Sequence, residues 1–293
     1  MTRETRAILA LVAAAFLFGA TFVVVKSALD TMGPLSFIAW RFGLGGLLLA
    51  AFGLPRDRAV WRDGTLAGIA LFAGYALQTA GLQFTSASNS ALITGLYVVI
   101  TPLLVAAFAR RAPSRWILLA AALAFGGVVL LTGVDDLSLR IGDLLTVGCA
   151  IAFAFHIYAL GLFAPRHRLI PFTTVQIAVT TVLSIIGAAL FEPGAGIPDR
   201  SAWAAIAITA VGVTVGAFLL QIWAQTVVGA ATAAVVLSAE PAFGVATGWV
   251  VLGERLSPAG WVGAGLIVAA IYLVVTRQED DVSRDAEAVT PAH

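Results

Sequence analysis

Ten apolar stretches alternate with short polar segments along the chain, at residues 7–28, 34–54, 64–82, 88–109, 115–133, 143–163, 171–191, 201–223, 232–252 and 259–276. Each is bounded by charge, proline or glycine, and each is long enough as a helix to cross a hydrocarbon core of about 30 Å. Arg3 and Arg6 before the first stretch resemble the start of a signal peptide. No small-residue cleavage site follows, however, and Lys26 closes a run too long for one, so the stretch reads as a retained first span. The pattern predicts an all-α integral membrane protein of ten transmembrane helices. Beyond Arg277 the chain is polar and mixed in charge, and 277–293 is expected to be a disordered cytoplasmic tail.

Composition narrows the class. Of 293 residues, 60% are hydrophobic and 11% charged, less than half the roughly 25% that soluble domains carry. The mean hydropathy of +0.98 points the same way. A net charge of +1 with scattered basic residues excludes a nucleic-acid binder. The single cysteine, Cys149, rules out a disulfide framework or a cysteine metal cluster, and the three histidines show no ligand spacing. No metal or cofactor is expected. Basic residues gather in alternate loops and the tails: Arg3, Arg6, Arg56, Arg58, Arg62, Arg110, Arg111, Arg115, Arg166, Arg168, Arg277 and Arg284 on one side, against Lys26, Arg140, Arg200 and Arg255 on the other. By the positive-inside rule both termini face the cytoplasm, in the cell (inner) membrane.

An internal repeat organises the spans. Residues 85–92 (TSASNSAL) and 228–235 (VGAATAAV) align at one offset, which also pairs Gln78 with Gln221 and Tyr75 with Phe218. A slightly smaller offset earlier in each half pairs Phe16 with Phe153, Phe18 with Phe155 and Pro34 with Pro171. The repeats are read as 7–133 and 143–276. Five spans per half is an odd number, so the second half must enter the membrane inverted relative to the first. Inverted repeats are a signature of secondary transporters, whose solute binds near the midplane between the halves.

Residues 81–94 (GLQFTSASNSALIT), 239–244 (AEPAFG) and 252–258 (LGERLSP), with Phe18-Gly19 and Trp40-Arg41-Phe42, resemble the two EamA repeats of the drug/metabolite transporter superfamily. The resemblance covers about 7–276. It implies a ten-helix bundle around a central cavity lined mainly by spans 1, 3, 4, 6, 8 and 9, and transport, often outward, of amino acids, other metabolites, nucleotide sugars or triose phosphates. Of these, the few fixed charges of the spans favour small metabolites such as amino acids. One departure breaks the symmetry: the first repeat has Tyr97-Val98 where the second has Glu240-Pro241.

Glu240 is the deep acid, roughly 12 Å into span 9 at 1.5 Å per residue. A carboxylate there costs about 2.5–3.5 kcal/mol and should face the bundle interior, as an ammonium-binding or proton-coupling group or as a hydrogen-bonded brace at Pro241. Gln78 and Gln221 are the matched amides. Thr214, Phe218, Gln221 and Gln225 share one face of span 8, and Leu71, Tyr75, Gln78 and Leu82 the equivalent face of span 3. An aromatic and an amide one turn apart suit a polar organic solute, and equally suit interhelical hydrogen bonding. His156 is a proton-gating or solute-contacting candidate, against a neutral histidine bonded to a carbonyl. Phe18, Phe155 and Tyr158 are candidate cavity walls. Asn89, Thr94 and Tyr97 stand on span 4, Asn89 alternatively as a helix cap. Arg41, seven residues into span 2, is read as snorkelling to the outer interface in preference to binding an acidic group. The candidate solute-binding set is Phe18, Tyr75, Gln78, Asn89, Tyr97, His156, Tyr158, Phe218, Gln221 and Glu240.

A secondary carrier is the leading reading, with protons as a candidate coupling ion and a monomer as the functional unit. A facilitative channel or sensor is the alternative. A membrane-embedded enzyme ranks last, because it needs paired carboxylates, a metal cluster or a nucleophile with a base.

Overall fold

The computed structural model describes residues 1–289 except 30, 82, 85–89, 91–92, 111, 133–140, 194–197 and 253–256. Every regular element among them is helical: α1 (Arg3–Ala20), α2 (Phe22–Leu29), α3 (Pro34–Phe52), α4 (Arg58–Gly81), α5 (Tyr97–Ala109), α6 (Arg115–Thr132), α7 (Ile141–Phe163), α8 (Leu169–Phe191), α9 (Arg200–Thr209), α10 (Phe218–Gln225), α11 (Ala230–Leu237), α12 (Glu240–Leu252) and α13 (Pro258–Val289). A single 3₁₀ turn, Ala164–Arg166, follows α7, and a π-helical segment, Ala210–Ala217, joins α9 to α10.

Local chemistry sets several helix starts. The Thr2 hydroxyl accepts from Thr5 N at 3.1 Å and opens α1, and Asp199 accepts from Ala202 N at 2.7 Å to open α9. Pro34 stands at the first position of α3, where its missing N–H costs nothing. The next free donors, Leu35 N and Ser36 N, go to Glu192 at the end of α8, at 2.7 and 2.9 Å. One carboxylate thus ties the two halves together.

The outer surface is apolar, and polar side chains lie buried among the apolar ones of the core. Leu47 (73% exposed) and Leu190 (68%) project from the bundle, whereas Arg41, His156, Gln176, Thr180, Gln221 and Gln225 are buried. That inversion of a water-soluble protein's surface suits lipid as solvent. Buried threonines satisfy their hydroxyls on their own helices, as Thr180 does on Gln176 O at 2.9 Å.

Among the described residues, five helices are long and apolar enough to cross a membrane outright: Pro34–Phe52, Ile141–Arg166, Leu169–Phe191, Ala202–Gln225 and Pro258–Thr276. Tyr97–Ala109, Arg115–Leu131 and Ala230–Gly244 are apolar but shorter. The other expected spans lose length or apolarity for visible reasons. The first is interrupted at Thr21, the third carries Tyr75, Gln78 and Thr79 within its apolar stretch, and the ninth breaks at Ser238-Ala239. The polar segment after Thr276, expected to be disordered, continues α13 as helix to Val289. Its Arg, Glu and Ala residues are good helix formers, and a helix already nucleated by the preceding span needs only to elongate.

Packing respects an exchange of halves. α3 lies on α8, α6 on α13 and α5 on α11, each joining equivalent stretches. The α4–α7 contact is matched by α10 on α1, and α5–α7 by α11 and α12 on α1. The α6–α13 seam is close because Gly127 and Gly263 meet there: a Cβ at Gly127 would lie 2.7 Å from Gly263 O.

Candidate functional site

A cavity of about 630 Å³ lies between the halves, within the usual range for small-molecule sites. It is walled by α1–α4 of the first repeat, the start of α5, the middle of α7, the π segment with α10, and the break between α11 and α12. From Phe18, in the last turn of α1, and Arg41, midway along α3, it reaches Leu29 and Pro34 at the facing ends of α2 and α3 and Gln83 just past α4, on the side away from the N-terminus.

Helix breaks put backbone and side chains into this space. Residues 95–96 and 238–239 are both turns, so α5 begins at Tyr97 and α12 at Glu240 in matching positions of the two repeats. Gly19 of α1 abuts the second break. A Cβ there would overlap the Glu240 carbonyl oxygen and stand 2.7 Å from Gly244 N. The π segment places Val213 beside the cavity and the buried Thr214 against Arg41; such bulges re-aim side chains within an otherwise helical span.

An aromatic layer forms one wall. Phe18 meets Phe218 edge-on at 5.4 Å, Tyr75 meets Phe153 at 5.4 Å, and Phe42 packs behind on Tyr75 at 5.2 Å. The amides divide differently. Gln78 Nε2 donates to Thr94 Oγ1 at 3.3 Å. Gln221 Nε2 donates to Gln225 Oε1 at 3.3 Å, and Gln225 Nε2 donates to Ile157 O at 2.8 Å. Gln225 therefore braces α10 against α7, while Gln78 and Gln221 line the cavity. His156 Nε2 lies 2.9 Å from Gln176 Oε1, a side-chain amide of α8 in place of the backbone carbonyl expected.

Of the ten candidates, the cavity gathers Phe18, Tyr75, Gln78, Tyr97, His156, Phe218, Gln221 and Glu240. Asn89 lies outside the described residues. Tyr158 does not join them: its ring stacks on Phe108 at 5.0 Å, on another face of α7. Phe155 is 40% exposed and Phe153 lines the cavity instead, because 153 shares a helical face with 156 and 157 whereas 155 does not. Arg41 corrects the snorkelling expectation. It is 4% exposed, its Nε donates to Thr214 Oγ1 at 3.1 Å, its Nη2 donates to Tyr75 Oη at 3.3 Å, and its guanidinium stands 5.1 Å from the centroids of both the Phe42 and Tyr75 rings. With hydroxyls and ring faces inside the bundle, reaching the interface gains nothing. The legible signal was its depth, which by default implies an inward face.

The description "EamA-like transporter family" fits the chain twice, over residues 5–133 and 140–276. An "Uncharacterized transporter" of Archaeoglobus fulgidus is 33% identical over 271 residues, covering 92% of this chain and 85% of that protein. The "Uncharacterized transporter YyaM" of Bacillus subtilis is 30% identical over 152 residues, 47% of this chain and 50% of its own length. A solved structure described only as "Crystal structure of protein" superposes with a TM-score of 0.79 at 22% identity, covering 93% of this chain and 96% of its own, a likeness of fold alone.

Proposed function

The chain belongs to the EamA-like transporter family, and from that premise we propose that it is a secondary carrier that exports small metabolites such as amino acids by alternating access. The observation that carries the proposal is the cavity shared by the two repeats, into which equivalent positions of both project: Tyr75 with Phe218, Gln78 with Gln221, Tyr97 with Glu240. The exchange-symmetric helix packing supports ten spans in two inverted repeats. In such a pair each repeat adopts the other's conformation and the cavity opens to the opposite side. With both termini cytoplasmic in the inner membrane, the cavity as drawn faces outward. Rings on its wall hold the apolar part of a solute, and the amides orient the polar part. Glu240, without a hydrogen-bond partner among the described residues, is the group on which a coupled proton would ride, and a monomer holds the complete site.

Counterflow in proteoliposomes tests this reading. Liposomes holding purified protein are loaded with unlabelled amino acids, and labelled solute is added outside. A carrier gives transient accumulation driven by the internal pool, which a channel does not. Labelled solute that merely equilibrates at a rate indifferent to the internal pool would refute alternating access.

A further inference from the structure

Two opposite charges face the cavity and are not spent on each other. Arg41 and Glu240 both line it, yet no ion pair joins them among the described residues. The guanidinium is held sideways by Thr214 and Tyr75, on helices flanking α3, and its recorded hydrogen bonds use Nε and Nη2, leaving Nη1. Glu240, at the first turn of α12, has neither hydrogen bond nor ion pair among the described residues and is partly exposed to the cavity. Opposite charges in a low-dielectric interior attract strongly and close into a pair unless something holds them apart. Here Thr214 and Tyr75 tether the guanidinium, and both groups front the same cavity.

A neutral solute leaves both charges uncompensated, and a solute with one charge leaves the other. Only a dipolar solute satisfies both. We propose that Arg41 and Glu240 are the anion-binding and cation-binding poles of the cavity, so that it selects solutes carrying both a carboxylate and a primary ammonium. The solute's apolar group then lies on the wall formed by Phe18, Tyr75, Phe153 and Phe218. The proposal rests on the carrier reading of the same cavity and adds the charge rule that sets its specificity, with Arg41 as the residue that admits the carboxylate.

Calorimetric binding to the purified full-length protein in detergent tests it, using L-leucine, isoamylamine (no carboxylate), 4-methylpentanoate (no ammonium) and L-leucine methyl ester, with the L-phenylalanine series in parallel. Each missing charge is expected to weaken binding about tenfold or more, as loss of a charge-assisted contact does. Arg41→Gln should make leucine and isoamylamine bind alike, and Glu240→Gln should make leucine and 4-methylpentanoate bind alike. Arg41→Lys should restore part of the preference for the carboxylate. The unsubstituted protein alone decides the matter if a variant does not fold. The proposal is overturned if singly charged analogues bind as tightly as the dipolar parents, or if no dipolar probe binds. Both variants weakening every probe by one common factor also overturns it. Charge-selective binding without counterflow would sink the carrier and keep the poles, whereas counterflow of a singly charged analogue as fast as its parent would sink the poles and keep the carrier.

Discussion

The break in span 4 and the break in span 9 are the same turn drawn twice, at 95–96 and 238–239, yet one leads into Tyr97 and the other into Glu240. Backbone form survived duplication while side-chain chemistry diverged. The first helices of each half show the reverse. Phe18 faces the cavity and Phe16 is exposed, whereas in the second copy Phe153 faces in and Phe155 out. The residues match there and the helical faces differ, in keeping with α1 stopping at Thr21 where α7 runs unbroken. Equivalence between the repeats is thus strong in backbone around spans 4 and 9, and weak in orientation around spans 1 and 6.

The strongest disturbance expected is at the close approach of Gly19 to the break before Glu240. Gly19→Ala places a methyl group onto the Glu240 carbonyl, and such overpacking costs about 1–3 kcal/mol or more when backbone must move. Gly212→Ala, with nothing within 4 Å, should leave stability within about 0.5 kcal/mol. Thermal unfolding in detergent compares them, and equal melting temperatures would mean that α1 does not press on the break. Next in size is the contrast between the matched breaks. Glu240→Gln should lower counterflow about tenfold or more and flatten its response across a pH series, while Tyr97→Phe, which removes only a hydroxyl, should stay within about threefold of the parent. Similar losses in both would make the two positions functionally equivalent.

A third contrast concerns an anchor without a counterpart. Asp63 of α4, just before the apolar stretch, receives Arg62 Nε at 2.8 Å and lies 2.7 Å from His167 Nε2, while the matching position of the other half is the buried Ile206. Burial pushes the Asp63 carboxyl up, but the hydrogen bonds from Arg62 and His167 outweigh it and hold the group below its ordinary value. A depressed carboxylate stabilises the fold above the unfolded-state value of about 3.9 and loses that contribution as pH falls through the folded one. Asp63→Asn should therefore lower stability by about 1–3 kcal/mol near neutrality, with the gap from the parent protein closing in acid. A gap that persists at low pH would assign the effect to packing. The smallest effects are at the paired amides. Gln78→Leu and Gln221→Leu should each cost about 0.6 kcal/mol of stability. If both amides orient one solute, the two should impair counterflow to a similar degree; a loss confined to one would confine the solute to that repeat.

Much of this was written in one dimension. Lipid as solvent demands apolar runs of a set length and helices throughout, so the all-helical architecture follows from the apolar runs, and the face shared by Phe218 and Gln221 from helical spacing. The duplication follows from residues paired at one offset. The depth of Glu240 announced an inward acid for the same reason. Other features depend on neighbours distant in the chain. Whether Arg41 turns in or out is settled by Thr214, Tyr75 and Phe42 being there to receive it. Which phenylalanine faces the cavity turns on the rotation of each helix against its partners, and the π segment that sets Thr214 against Arg41 has no local signature in a run of valine and glycine. Periodicity encodes what each helix offers to lipid. Only the packed bundle brings opposite charges to one space and holds them apart.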